Sequence, residues 1–106
     1  MKNRDKIKVT TSMTIDFDDL RDLIWKVCGD SYDIDDDYGQ ARFIRVDKAG
    51  EEIDDYDEVE TERYVFSKLE EYFDVVICSF CIIDEYGMRE VMIPYIDNTT
   101  GSDENA

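Results

Sequence analysis

Residues 30–62, DSYDIDDDYGQARFIRVDKAGEEIDDYDEVETE, limit the fold of this chain more than any other stretch. They hold fourteen of its 28 acidic residues against only Arg42, Arg45 and Lys48, a net charge of −11 out of −16 for the whole sequence. The acid comes in two bursts, at 30–37 and 51–62, on either side of the strand-like run QARFIRV at 40–46. Like charge at this density opposes compaction, so these carboxylates belong at the surface and the core must come from elsewhere.

Elsewhere there is enough. The chain has 106 residues, 42% of them hydrophobic, with seven tyrosines, five phenylalanines and one tryptophan. Disordered chains are poor in aromatic and β-branched residues, so this composition predicts a packed fold despite its charge. The length suits one domain over residues 1–106, with mobile ends at 1–6 and 98–106. The longest near-continuous apolar run, 75–83, is far too short to span a bilayer. The basic start MKNRDKIKVTTS has no apolar segment behind it, so no signal peptide is expected, and the reading is cytoplasmic, in a bacterial host cell.

The strong negative charge disfavours direct binding to nucleic acid or to an anionic membrane and favours a basic protein partner, steered from a distance. Lys2, Arg4, Lys6 and Lys8 read as a solvated terminal arm. Three cysteines make no disulfide framework. Cys78 and Cys81 have redox-motif spacing, but they fall in an apolar strand whose alternation sends them to opposite faces, so buried reduced thiols are expected.

Taken in order, residues 6–15 alternate weakly and suggest an edge strand or a lead-in. Asp16 is a good N-cap, with Asp18 and Asp19 in the first turn where the helix dipole favours acid. Phe17, Leu20, Leu23, Ile24 and Val27 then recur at helical spacing, and Gly29 stands where a left-handed C-cap belongs. A short strand at 31–34, an acidic turn at 35–39, a strand at 40–46, a turn at 47–50 and a third short strand at 51–53 follow. Arg42 and Arg45 lie beside the acidic bursts and can relieve part of their repulsion. A second helix is predicted from Asp57, with Glu60 three residues on in a capping-box arrangement and an apolar stripe of Val59, Phe66, Leu69 and Phe73. Residues 75–83 read as a central strand, 84–87 as a turn, and 88–96 as an edge strand, because Pro94 lacks a ladder donor. The predicted fold is a single α+β domain, two helices on a mostly antiparallel sheet in the order α-β-β-β-α-β-β.

No motif for chemistry stands out. An EF-hand loop beginning at Asp33 needs glycine sixth and glutamate twelfth, and the chain has Tyr38 and Ile44 there. The sequence contains no histidine. That removes histidine-activated nucleophiles and leaves zinc short of ligands. Carboxylate pairs for a glycosidase or a magnesium nuclease need a fixed spacing in a cleft, whereas these acids are numerous and exposed. The reading is not an enzyme, with no cofactor and no metal.

What remains is the density of charge. Duplex DNA presents one negative charge per ~1.7 Å of axis, and carboxylates on turns and a helix start can be spaced comparably. The residues set out for partner binding are Asp35, Asp36, Asp37, Tyr38, Glu51, Glu52, Asp54, Asp55, Tyr56, Asp57 and Glu58, with the two tyrosines as aromatic anchors amid the acid.

Asp22-Leu23-Ile24, Tyr32, Phe43-Ile44-Arg45-Val46, Gly50-Glu51-Glu52 and the helix ending at Phe73 resemble the small acidic phage anti-CRISPR proteins. The resemblance spans about residues 20–73 and is nearest to the type that blocks an RNA-guided nuclease by imitating DNA in its PAM-reading site. It implies that Glu51 and Glu52 occupy the acidic turn facing the PAM-reading arginines. Ala49 stands where that family has an acid, and after Phe73 the family continues in helix whereas this chain has strand-like residues to 96.

The expected function is thus an acidic DNA mimic from a phage or mobile element, inhibiting a defence nuclease through its basic DNA- or RNA-binding groove. Two alternatives stand beside it: an immunity protein neutralising a basic toxin nuclease and, from another class, a divalent-cation-binding or carboxylate enzyme domain. The C-terminal hairpin is also a candidate homodimer surface.

Overall fold

The computed structural model describes residues 11–97. The expected mobile ends and the basic arm at Lys2–Lys8 lie outside these residues. Two helices pack against a sheet of six strands, in the order β1 (Thr11–Asp16), α1 (Phe17–Cys28), β2 (Tyr32–Asp37), β3 (Gln40–Arg45), α2 (Glu58–Phe73), β4 (Val75–Ile77), β5 (Cys81–Glu85) and β6 (Met88–Asp97). The spatial order is β1-β6-β5-β3-β2, with β4 also paired to β6, and every pairing is antiparallel. This is the α+β class that the sequence pattern indicates.

Local chemistry sets the helix ends. The Asp16 carboxylate accepts from the backbone N–H groups of Asp18 and Asp19, satisfying donors that the first turn leaves free. Gly29 ends α1 at φ 115°, its N–H donating to Trp25 O. Asp57 caps α2 by accepting from Glu60 N, and Asp74 closes it in a left-handed conformation.

The core lies between the helices and one face of the sheet. It joins Phe17, Leu20 and Ile24 of α1 and Val65 and Leu69 of α2 to Ile34, Phe43, Ile82, Val91 and Ile93 of the strands. The stripe of α2 is rotated from the sequence expectation. Thr61, Val65 and Leu69 point inward, Phe66 and Phe73 are half-buried, and Val59 is exposed. Phe66 is held at the margin by edge-to-face contacts with Phe43 and Phe80.

Four further expectations are corrected. The acidic turn at 35–39 is strand as far as Asp37, and only Tyr38 and Gly39 turn. The third strand at 51–53 is reduced to one bridge, Val46 to Glu52, with Ile53 N donating to Arg45 O. The apolar run 75–83 is two strands, because from Ile77↔Tyr95 to Cys81↔Met92 one side advances one residue more than the other. That extra residue is a bulge, and it leaves Cys78 exposed rather than buried.

The fourth correction concerns β6, which is central rather than an edge, lying between β1 and β4–β5. Pro94 O accepts from Cys78 N, so the side on which Pro94 lacks a donor faces the bulge. The sheet ends at β1 and β2, and β1 takes in residues 11–15 of the stretch 6–15 that the sequence suggests as an edge strand or a lead-in. Among the described residues, no helix is long and apolar enough to cross a membrane.

Candidate docking surface

Strand β3 brings the two acidic bursts together through one side chain. The Arg42 guanidinium grips Glu52 at 3.1 and 2.7 Å, reaches Glu58 of α2 at 3.4 Å and stands 3.9 Å from Asp35, its cross-strand neighbour on β2. A carboxylate from β2, one from the loop and one from the start of α2 thus converge on a single cation. Asp37, Glu58 and Glu62 also line one shallow cleft with Arg42. Arg45 behaves differently. Its guanidinium stacks 4.7 Å above the Tyr32 ring, and its Nε is buried without a hydrogen-bond partner.

The electrostatics follow from that convergence. The Arg42 guanidinium, and then the Tyr56 hydroxyl, hold the Glu52 carboxyl below the usual carboxylate range. Glu52 in turn raises the Arg42 pKa further. Tyr56 donates to Glu52 Oε2 at 2.5 Å, and burial together with that bond raises its pKa from 10.0 to about 12.

The eleven residues named from the sequence therefore divide by what they do. Glu52, Glu58 and Asp35 serve Arg42, while Tyr56 is half-buried and tied to Glu52 rather than free as an anchor. Asp36 accepts from Gly39 N and closes the hairpin turn, and Asp57 caps α2. The side chains of Asp37, Glu51, Asp54 and Asp55 are exposed and make no ion pair or hydrogen bond among the described residues. Tyr38 is fully exposed at the tip of its hairpin.

One residue escaped the sequence reading. Tyr86 is 96% exposed at the tip of the β5–β6 hairpin, followed by glycine just as Tyr38 is. The repeated tripeptides Asp37-Tyr38-Gly39 and Glu85-Tyr86-Gly87 were the available signal.

A cleft of about 650 Å³ opens elsewhere, between Trp25 of α1 and the turn at 47–50, and none of the eleven residues lines it. The acidic ridge and this hollow do not coincide. Among the described residues, no cluster of three or more histidine, cysteine or acidic side chains is arranged to hold a metal ion. Compared with known proteins, the chain matches no family model, no curated protein and no solved structure.

Proposed function

We propose that this protein is an acidic, nucleic-acid-mimicking inhibitor that occupies the basic DNA- or RNA-binding groove of a defence nuclease, in the manner of the DNA-mimicking type of anti-CRISPR protein. One observation carries the reading: Arg42 gathers Asp35, Glu52 and Glu58 from three separate elements within 4 Å. The two bursts that are distant in sequence thereby become one ridge. Its nine named carboxylates have Arg42 as their one paired base among the described residues. Carboxylates crowded on one surface offer an arginine- and lysine-lined groove the negative charge that phosphates offer it. Mutual repulsion is a cost in the free protein that a basic partner removes.

The test is competition. Cleavage of a target duplex by an RNA-guided nuclease is titrated with this chain, and the expected inhibition is relieved by excess duplex. Reversing Asp54 and Asp55 to lysine should abolish inhibition, because like charges at ~4 Å repel by about 4 kcal/mol at an effective dielectric of 20, before solvent screening. The loss should fall mainly on the association rate. Reversing Asp22 and Glu71, which are exposed on the helices, changes net charge equally and should leave inhibition nearly intact. Equal losses from the two pairs, or inhibition that excess duplex does not relieve, would show that the ridge does not imitate nucleic acid.

A further inference from the structure

Both two-residue hairpins of the sheet turn on the same dipeptide. Tyr38-Gly39 joins β2 to β3 with φ values of 52° and 88°, and Tyr86-Gly87 joins β5 to β6 with 52° and 77°. Positive φ at both central residues marks the type I′ turn, whose first position favours asparagine, aspartate or glycine. Tyrosine is a poor choice for that backbone, because its Cβ crowds the neighbouring carbonyl. Nor does packing compensate, since the side chains are 100% and 96% exposed. Each turn therefore holds an aromatic ring in water at a position where folding alone would select asparagine.

The two rings stand at the same end of the molecule. Strands β3 and β5 are antiparallel with Gln40 opposite Cys81, and Ile82 N donates to Gly39 O. β3 leads away from its turn while β5 leads towards its own, so both tips project in one direction. Tyr38 falls opposite Ile83, and Tyr86 lies three residues beyond, about 10 Å further along the strand axis. Acid surrounds both. Asp37 precedes Tyr38, Asp84 and Glu85 precede Tyr86, and all three are exposed and without an ion pair among the described residues.

We propose that Tyr38 and Tyr86 form a two-pronged aromatic clamp that stacks on arginine side chains of a basic protein partner, while Asp37, Asp84 and Glu85 pair with the same guanidinium groups. A guanidinium is planar and weakly hydrated, so it can lie on a ring face and still donate at its edge to a carboxylate. The lysine ammonium, a compact and strongly hydrated charge, does both less well. The clamp rests on the reading of the acidic ridge as a face for a basic protein and adds the preferred cation and two anchoring side chains.

The experiment uses the whole chain and its Tyr38→Asn/Tyr86→Asn variant against two probes of equal length and charge, an alternating arginine–glycine peptide and its lysine–glycine counterpart. The wild type should bind the arginine peptide several-fold more tightly. The variant should lose that preference, keep the lysine peptide's affinity, and melt a few degrees higher, since asparagine suits both turns. Equal affinity of the wild type for the two peptides overturns the clamp while leaving the acidic ridge standing, as does a preference that survives in the variant. A variant that melts lower would show that the rings support the fold, and the clamp fails. Tighter binding of single-stranded DNA than of either peptide, lost in the variant, would assign the rings to bases instead. No binding of either peptide defeats the ridge and the clamp together.

Discussion

At the scale of single residues, Tyr56 shows how closely this acidic surface is organised. Its hydroxyl donates to the carboxylate that Arg42 already holds, so the ring is fixed between loop and strand. Burial and that hydrogen bond both favour the neutral phenol and raise its pKa from 10.0 to about 12. A group whose folded pKa is raised adds stability in full below the unfolded value and loses it as pH climbs through the folded one. The contribution of Tyr56 is therefore complete below pH 10 and disappears between 10 and about 12. Phenolate absorbance of the wild type minus that of Tyr56→Phe should isolate one step near the upper end of this window. Stability against denaturant should fall faster across the window in the wild type than in the variant. Glu52 has the opposite sign: its carboxyl is held low, so its support is present above the ordinary carboxylate range and lost as pH falls below it.

At the scale of elements, the helices were legible because their signals were local. Asp16 and Asp57 act as the caps they resemble, and the apolar residues of α1 face inward at the spacing they show in sequence. The acidic residues of the ridge were legible too, but their meeting at Arg42 depends on a long-range fold, so which acids are paired and which are free was not. The C-terminal strands were misread because residues 75–83 are apolar almost throughout and carry no alternation to betray a bulge. Proline argued for an edge strand, yet its missing donor needs only one gap, and the bulge at 78–80 supplies that gap within the sheet. Tyrosine at the left-handed turn positions was hidden for another reason, since the turn preference predicts asparagine there. The bulge has a chemical consequence. Cys78 is exposed beside it, whereas burial raises the Cys28 pKa from 9.0 to about 11. Because the thiolate is the reactive form, a maleimide at pH 8 should label Cys78 first and Cys28 last, as mass analysis of peptides over time would show. Fast labelling of Cys28 would mean that its thiol is less buried than the fold places it.

At the scale of the whole molecule, charge and packing oppose one another. Residues 11–97 hold 25 carboxylates and eight bases, and only Arg21 and Arg42 of those bases form ion pairs among the described residues. Salt acts on both sides of this balance. It weakens the few attractive pairs, which are partly exposed and individually worth little. It also weakens the many repulsions, which reach across the surface and are therefore the more sensitive to screening. Raising ionic strength from about 0.01 to 0.15 M shortens the Debye length from about 30 to 8 Å, which cuts the long-range repulsion while leaving contacts near 3 Å largely intact. The melting temperature should therefore rise with sodium chloride over this range. Asp54→Asn/Asp55→Asn removes two unpaired charges from the ridge and should raise the melting temperature at low salt. Its advantage should shrink as salt is added, because the repulsion it removes is the repulsion that salt screens. A melting temperature that falls with salt would give the paired arginines the larger share of the electrostatic energy. An advantage of the double variant that persists undiminished at 0.15 M would place its origin in the loop's conformation rather than in the crowding of charge.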